Sequence, residues 1–520
     1  MNTQEQPTTR HPRRWLILIV LCLSGLTLVI DNMVLTVSVP PITEALKASA
    51  QDIQWIIDSY ILVFAGLLLT AGSMADRFGR RRMLITGLAL FGGASLLAAY
   101  AHSPEQLIAG RALMGIGGAL VMPSTLSILI TVFDQEELPK VYAVFGAVAM
   151  IGLVGGPVLG GVLIAHFWWG AVFLLNVPIA GLAITAAVLL MPESKGPARK
   201  ADPLGMVLSV VGMTALVWTI ITAAKDGLGR PSTLTGLAVA LCCLAAFAVW
   251  EVRTANPMVP LGLFRNRRFS GASFSLVLLT FANGGLMLVL TQYLQFVLGY
   301  SPTTAGLAFA PMAVASLLFN GLGAALSQKL GARLLTAAGL AVIAAGFGYL
   351  ATLSVHSGFG QLAVAMVLIG TGGGLAMPAA TAALMGAVPA EHAGVGSALN
   401  DTVQQAGAAL GVAVLGTILS TTYRGAMPVS TPGAARHSIA DALALAGGAG
   451  DGRLAGIARQ AFTTAMSASF LTSACGVLVA AALALVLLPG RTAAATAPAA
   501  GEAEQPAGAA EQAPELTRAA

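Results

Sequence analysis

Four ionisable side chains stand inside long apolar runs of the sequence, where charge is otherwise almost absent: Asp31, Asp58, Arg111 and Asp401. An ionisable residue near the middle of an apolar membrane-spanning run costs about 2.5–3.5 kcal/mol on insertion scales, so each needs a partner or a task. A carboxylate in such a place can bind a proton, pair with an arginine or hold a cation. This chemistry is that of coupling and ligand binding, and the sequence predicts no enzyme.

Asp31 and Arg111 lie at matching depths of two different runs, about seven to eight residues from the same end. At ~1.5 Å per helical residue both sit ~10–12 Å deep, so they can pair. One interpretation is a static ion pair that joins two helices. The other is a carboxylate whose proton competes with Arg111 or with a ligand, and a combination of the two is favoured because an exchange cycle needs a releasable pair.

Asp58 and Asp401 are the other two buried candidates. Asp58 follows Trp55 near the start of the second run, where it either faces a cavity or extends to interfacial water. Asp401 lies deeper, and Asn400, Gln404 and Gln405 stand beside it. These residues predict a polar patch in the second part of the chain.

The elements that must position these residues are apolar spans. Of 520 residues 57% are hydrophobic and only 9% are charged, with a mean hydropathy of +0.83, which excludes a soluble globular domain. Fourteen apolar runs alternate with loops, the first at residues 15–39 and the last at 463–489, after a long Ala/Gly-rich loop at 423–460.

Most of the 27 Lys and Arg residues fall in every second loop, which places both termini in the cytoplasm. The pI near 9.2 therefore reflects membrane topology and not nucleic-acid binding. No G-x-x-x-x-G-K-[ST] phosphate loop occurs, so an ion gradient is the expected energy source and no cofactor is expected. The four cysteines have neither metal-ligand nor disulfide-framework spacing.

An internal repeat predicts two bundles of the same topology. GIGGALVMPST, from Gly115, recurs as GTGGGLAMPAA from Gly370, and RFGRR at 77–81 is echoed by KLGAR at 329–333. A substrate site is expected near the midplane between two such bundles. The predicted segments are a cytoplasmic N-terminal segment (1–14), a six-helix bundle (15–191), two inserted helices (203–252), a second six-helix bundle (269–489) and a disordered cytoplasmic tail (490–520).

Several motifs resemble those of the major facilitator superfamily. GSMADRFGRRR at 72–82 is similar to its cytoplasmic loop signature, AGRALMGIGG at 109–118 to its fourth-span motif, and LVGGPVLGG at 153–161 to its antiporter signature. Further features resemble the drug:proton antiporters of the EmrB/QacA type. These are the fourteen-span count and the segments IDNMVLTVSVPP, WIIDSY, FLLNVPI and YLQFVLGYSPTTAG. The chain departs from that group at Met33, Val34 and Leu35, where a threonine-valine-asparagine run is usual.

This resemblance implies an all-α membrane protein with the major facilitator fold, its fourteen helices arranged as six, two and six in two parallel repeats. It also implies roles for two residue sets, whose alternative roles are topology anchoring and close helix packing. The first set, an inside gate, is Gly72, Asp76, Arg77, Gly79, Arg80 and Arg81. The second set, an antiporter motif, is Gly152, Gly156, Pro157, Gly160 and Gly161.

The function implied is proton-coupled export of drugs or other amphipathic small molecules from a bacterial inner membrane, conferring antibiotic resistance. Asp31, Asp58, Arg111 and Asp401 would couple protons or bind the cargo. The alternatives are a proton-coupled symporter for an organic nutrient and a dedicated exporter of one natural-product antibiotic. The expected partners are an amphipathic molecule, with a cation as one option, protons and the lipid bilayer, and no nucleic acid.

Overall fold

The computed structural model describes residues 12–134, 136–196, 202–226, 230–254, 257–436 and 438–488. The predicted tail and most of the N-terminal segment lie outside these residues. The chain is helical throughout the described part, apart from its connecting segments. The first half contains α1 (Arg14–Leu46), α2 (Ala50–Phe78), α3 (Arg80–Ala99), α4 (Pro104–Val132), α5 (Leu138–His166), α6 (Ala171–Leu174) and α7 (Asn176–Leu190).

Two further helices, called here the linker hairpin, separate this half from a second one. The hairpin consists of α8 (Pro203–Asp226) and α9 (Pro231–Arg253). The second half contains α10 (Arg267–Gln292), α11 (Pro302–Leu307), α12 (Ala310–Leu350), α13 (Phe359–Met385), α14 (Ala393–Ala426), α15 (Ile439–Ala449) and α16 (Gly452–Leu487).

Thirteen helical stretches in the described residues are long and apolar enough to cross a membrane. In that count α6 and α7 form one stretch, and α12 with part of α11 contributes two, Thr304–Ser327 and Lys329–Leu350, the second of which contains the kink at Gly331. The fourteenth is α5, which is bent by about 40° between Leu153 and Val158. The protein is therefore a multi-pass membrane protein, and the predicted all-α fold is confirmed. We call the side on which α1 begins the near side and the opposite side the far side.

The repeat is visible in the backbone. Gly79, between α2 and α3, has φ +114°, and Gly331, at the corresponding bend inside α12, has φ +82°. Glycine populates positive φ without the steric cost that a side chain adds, so the same tight turn recurs at the near side of both halves.

The same pairs of helices cross closely in each half. A Cβ on Gly87 of α3 would lie 2.8 Å from the carbonyl oxygen of Gly117 on α4. A Cβ on Gly339 of α12 would lie 2.6 Å from the carbonyl oxygen of Gly372 on α13. Small residues let helices approach in lipid, where no hydrophobic effect drives them together. These matching contacts are those expected of the two predicted repeats.

Two element boundaries differ by more than a few residues from those expected. Helix α1 continues through Pro40 and Pro41 to Leu46 instead of ending at residue 39. Helix α16 begins at Gly452 instead of residue 463, and the preceding loop contains α15. Helix α16 starts earlier because Asp451 caps its N-terminus, accepting hydrogen bonds from the backbone N–H groups of Arg453 and Leu454. Hydropathy does not detect such a cap.

The linker hairpin lies against one junction of the two halves. Helix α8 contacts both α2 and α14. On α2, the Gly66 backbone packs on the Thr214 side chain, and the Trp55 and Trp218 rings lie 5.4 Å apart. The first inserted helix, α8, thus covers the α2/α14 junction.

Candidate functional site

Asp31 and Arg111 form a buried ion pair between α1 and α4. The Arg111 Nη1 atom donates a hydrogen bond of 2.5 Å to Asp31 Oδ2, and neither residue is more than 2% exposed. The second carboxylate oxygen of Asp31 accepts a 2.9 Å hydrogen bond from Asn176 Nδ2 on α7. Both oxygens of this carboxylate are therefore engaged.

The arginine of this pair has further partners on α2. Its Nε atom donates to the carbonyl oxygen of Ile56 at 3.3 Å, and its guanidinium lies 4.4 Å from the centroid of the Tyr60 ring. A cation over an aromatic face in a dry site gains about 2 kcal/mol or more. The cluster formed by Asp31, Arg111, Asn176 and Tyr60 joins α1, α2, α4 and α7.

Asp76 connects the two halves at the near side. Its Oδ1 atom accepts hydrogen bonds from Arg80 Nε at 3.0 Å and Nη2 at 2.8 Å. The same carboxylate also accepts from the backbone N–H groups of Gly394 at 2.9 Å and Val395 at 3.0 Å, in the first turn of α14. An anion is stabilised there because the first N–H groups of a helix have no intrahelical partner.

Gly72, one turn before Asp76, makes the closest packing contact across this junction. A Cβ at this position would overlap Ala398 Cβ and would lie 2.6 Å from the carbonyl oxygen of Gly394. Of the predicted gate residues, Gly72, Asp76 and Arg80 therefore meet at the contact with α14.

The remaining gate residues lie outside that contact. Arg77 is exposed, with its guanidinium 5.2 Å from the Phe78 ring. The Arg81 side chain donates to the carbonyl oxygen of Met191 at 2.9 Å, and Gly79 turns the backbone beside Glu193. Glu193, which the sequence analysis did not identify, accepts a hydrogen bond from the Arg81 backbone N–H at 3.1 Å. These contacts hold the α2–α3 turn to the segment after α7.

A cavity of about 220 Å³ lies between the two halves. Helices α4 and α5 contribute one wall, and α10, α12, α13 and α14 contribute the other. Most of the lining is apolar, including Met122, Leu126, Phe145, Ala149, Met150, Leu279, Met377 and Pro378. The polar lining residues are Tyr142, Asn283, Ser316, Asn320, Thr381, Asn400, Asp401 and Gln404.

Asp401 is the acidic residue of this lining, about two turns from the near end of α14. It is 6% exposed, and its Oδ1 atom accepts a 3.1 Å hydrogen bond from Asn400 Nδ2. Its Oδ2 atom has no hydrogen-bond partner among the described residues, and neither has the Tyr142 hydroxyl or Asn400 Oδ1. A buried polar atom without a partner costs free energy, so a ligand able to satisfy these atoms is stabilised here.

The structure separates the predicted site residues into different places. Asp31 and Arg111 form the closed pair, whereas Asp401 lines the cavity. Asp58 lies half-buried on α2 and does not line the cavity, and neither does Gln405.

Sequence reasoning found Asn400 and Gln404 but missed the other neutral polar residues of the two sites, namely Asn176, Asn283, Ser316, Asn320, Thr381 and Tyr142. Asn176 and the cavity amides Asn283 and Asn320 all lie inside apolar helices. A search for amides within apolar runs, extending the search for charges, would have found these three.

Three of the antiporter-motif glycines form one packing face. Cβ atoms on Gly152, Gly156 and Gly160 would each lie within 3 Å of α1 side chains; at Gly156 the distance to Met33 Cβ would be 2.5 Å. A Cβ on Gly161 would meet nothing within 4 Å among the described residues, and Pro157 lies in the bent part of α5. The motif thus allows close α1–α5 packing beside a helix bend.

The sequence matches one protein family and is similar to several known transport and resistance proteins. The sequence pattern of the Major Facilitator Superfamily matches residues 21–412 and 272–512. The chain is 37% identical over 488 residues to the multidrug efflux pump LfrA of Mycolicibacterium smegmatis, covering 92% of this chain and 97% of LfrA. It is 35% identical over 415 residues to the methyl viologen resistance protein SmvA of Salmonella typhimurium, covering 79% and 83% of the two chains.

A third relative is the puromycin resistance protein pur8 of Streptomyces alboniger, 35% identical over 450 residues, covering 84% of this chain and 89% of that protein. Among solved structures, the human organic anion transporter MFSD10 superposes with a TM-score of 0.61 at 14% identity, over 91% of this chain and 100% of that one. That likeness is one of fold. The chain belongs to the Major Facilitator Superfamily.

Proposed function

We propose that this protein is a proton-coupled exporter of amphipathic small molecules, an antiporter of the fourteen-helix EmrB/QacA type that confers drug resistance. The observation that carries the proposal is the cavity between the halves, apolar on most of its surface, with the half-satisfied Asp401 carboxylate in its wall. Ligand sites of this kind combine apolar walls with a few polar groups that fix orientation.

The relatives support export as the direction of transport. LfrA is named as a multidrug efflux pump, and SmvA and pur8 are named for resistance to methyl viologen and puromycin. Methyl viologen is a dication. The charge of a buried carboxylate can be offset either by a proton or by a cation of this kind.

Asp401 supplies a physical reason for exchange. A charged carboxylate with one unsatisfied oxygen is stabilised either by a bound proton or by a nearby cationic group, and one partner makes the other unnecessary. Cargo arriving from the near side and a proton arriving from the far side would therefore displace each other. Each pH unit of gradient provides about 1.4 kcal/mol per proton, and each 100 mV about 2.3 kcal/mol per net charge moved.

The near side is assigned to the cytoplasm of a bacterial cell. The near-side ends of the spans and their loops carry Arg77, Arg80–Arg82, Arg253, Arg265 and Arg267 among others, an excess of the kind that orients membrane proteins. In this orientation Asp76 and α14 close the cytoplasmic side of the cavity, and Asp31 with Arg111 stabilises the first half.

The test is efflux of ethidium and of methyl viologen from cells that lack their own exporters, with and without a protonophore. The variants are Asp401→Asn, which cannot exchange a proton, and Asp401→Glu, which can. The matched control is Asp441→Asn, an exposed carboxylate at the start of α15. We expect protonophore-sensitive efflux that Asp401→Asn abolishes, Asp401→Glu partly retains and Asp441→Asn leaves unchanged.

Two results would contradict the proposal. Efflux that persists in Asp401→Asn or in the presence of the protonophore would exclude proton coupling through this residue. Efflux of neither compound by the wild type would rule out broad export and favour a single dedicated antibiotic as cargo.

A further inference from the structure

The two halves meet along two lateral junctions, and these differ in what covers them. At the α2/α14 junction, α8 of the linker hairpin contacts both helices. At the other junction, α5 of the first half meets the first part of α12 in the second half. Several residues on that second junction are exposed, so in a bilayer they face lipid acyl chains.

The α5/α12 junction is closed towards the near side and recessed towards the far side. A Cβ on Gly146 would lie 3.7 Å from Asn320 Nδ2, so the two helices are in contact there. Nearer the far side, a recess of about 310 Å³ opens between them. It coincides with the bend of α5 between Leu153 and Val158, and α11 also contacts α5.

The recess is apolar and opens outward. Gly155 and Ala313 form part of its wall, and Ile151 and Val314 at its edge are each 56% exposed, with Leu317 40% exposed. It lies at the depth of the hydrocarbon core, because α5 and the first part of α12 are spans. A polar group without a hydrogen-bond partner is costly at that depth, whereas an apolar group is not.

Met150 joins this recess to the central cavity. Its side chain lines both spaces, and it also lines a smaller space that contains Asn283 and Ser316. Methionine is unbranched and adapts to irregular volumes, so the residue between the two spaces is one whose side chain changes conformation easily.

We propose that the α5/α12 recess is a lateral portal through which the apolar tail of an amphipathic cargo passes between the central cavity and the far half of the bilayer. This inference rests on the proposed export function. The polar head of the cargo stays beside Asp401 and Asn400 while the tail lies along Gly155, Ala313 and Val314. Because Asp76 closes the near side in this structure, the portal serves release and not uptake.

The first test compares two quaternary cations that differ in having a tail: dodecyltrimethylammonium, which has one, and methyl viologen, which has none. The variant Gly155→Leu fills the recess, since nothing lies within 4 Å of a Cβ at Gly155. Gly181→Leu is the matched control, because a Cβ on Gly181 would also meet nothing within 4 Å among the described residues, and Gly181 lies exposed on α7. Membrane abundance and thermal unfolding are measured for both variants.

We expect Gly155→Leu to slow export of dodecyltrimethylammonium by at least about fivefold, the lower end of what overfilling an occupied space costs. Its export of methyl viologen should stay close to that of the wild type, and Gly181→Leu should change neither cargo. Equal loss of both cargoes in Gly155→Leu would overturn the portal, because it would indicate a defect in the helix itself. Export of neither cargo by the wild type would overturn the proposed function and this inference with it.

The second test distinguishes cargo from phospholipid as the occupant. A photoreactive benzoylphenylalanine is placed at Val314 or, as a control, at Leu182, which is 62% exposed on α7. The protein is then purified into lipid nanodiscs and irradiated with labelled dodecyltrimethylammonium. We expect a saturable cargo adduct at position 314 only, whereas phospholipid adducts alone at both positions would overturn the proposal.

Discussion

Two buried carboxylates of this protein have opposite surroundings. Asp31 receives hydrogen bonds on both oxygens, from Arg111 and from Asn176. Asp401 receives one, from Asn400, and its other oxygen has no partner among the described residues. The first carboxylate is fixed by its neighbours, and the second is free to bind something else.

The Asp31–Arg111 pair should contribute to the stability of the first half. Removing one member of a buried pair leaves an uncompensated charge and typically costs about 3–5 kcal/mol. We expect Asp31→Asn and Arg111→Met each to lower the free energy of unfolding by that order, and the double variant to lower it by less than the sum. Denaturant unfolding of the purified protein in detergent, analysed as a double-mutant cycle, measures the coupling.

Asp401→Asn is the matched comparison for this cycle, because it removes a buried carboxylate that has no cationic partner among the residues that the structure describes. We expect its free energy of unfolding to stay within about 1 kcal/mol of the wild type, since no pair is broken. Equal destabilisation by Asp31→Asn and Asp401→Asn would show that the contrast between the two sites is wrong.

The sequence identified the charged residues of both sites. It did not show which of them belong to the ion pair and which line the cavity. A charge in an apolar run is conspicuous because of its cost, whereas Asn283 and Asn320 are neutral and carry no comparable signal. Whether Asp58 or Asp401 faces the cavity depends on the rotation of its helix about its own axis. That rotation is set by contacts such as Gly156 on Met33, which only the assembled helices show.

At the scale of whole helices, the near-side closure depends on the first turn of α14. Asp76 accepts hydrogen bonds from two of its N–H groups, and Gly72 allows α2 to approach closely. Hydrogen bonds to a charged group contribute about 1.5–3 kcal/mol, so one carboxylate can shift an equilibrium between closed and open near sides by more than tenfold.

Asp76→Asn should open the near side. The amide nitrogen of asparagine cannot accept a hydrogen bond, so at least one of the α14 N–H groups loses its partner. We expect a cysteine introduced at Thr381, in the cavity wall, to react about tenfold faster with a membrane-impermeant maleimide added from the near side. The background for this measurement has its four native cysteines replaced by alanine.

The control is Asp52→Asn, which makes the same chemical change at the first turn of α2, within one half and on the far side. Its labelling rate at position 381 should match that of the parent. An unchanged rate in Asp76→Asn would mean that this contact does not limit opening of the near side.

The sequence predicted element boundaries well where hydropathy changes sharply. The prediction was wrong where a hydrogen-bonded cap sets the start of the helix. Most spans begin and end within a few residues of the predicted positions. The start of α16 differs by 11 residues, from 463 to Gly452, because the polar first turns of that helix are stabilised by Asp451 and not by an apolar environment.

At the scale of the molecule, the linker hairpin makes the two halves unequal in their surroundings. Helix α8 covers the α2/α14 junction, and the α5/α12 junction remains open to lipid on its far part. Rocking of one half against the other must therefore move α8 relative to at least one of its two neighbours. The Gly66–Thr214 and Trp55–Trp218 contacts favour α8 moving together with α2.

Two engineered disulfides test this motion. A Cβ on Gly66 would lie 3.5 Å from Thr214 Cβ, which suits the ~3.5–4.5 Å of a disulfide, so Gly66→Cys with Thr214→Cys joins α8 to α2. Gly72→Cys with Ala398→Cys joins the halves at the near side, after the two backbones separate by about 1 Å. We expect oxidation of the first pair to leave efflux within about twofold of the reduced protein, because α2 and α8 belong to one moving body.

Oxidation of the second pair should stop efflux, and a reductant should restore it, because the cavity can no longer open to the near side. Arrest by the first disulfide would show instead that α8 must slide along α2 during transport. Efflux that continues through the second disulfide would show that the near-side contact of Gly72 with α14 is static, and that the cavity fills by another route.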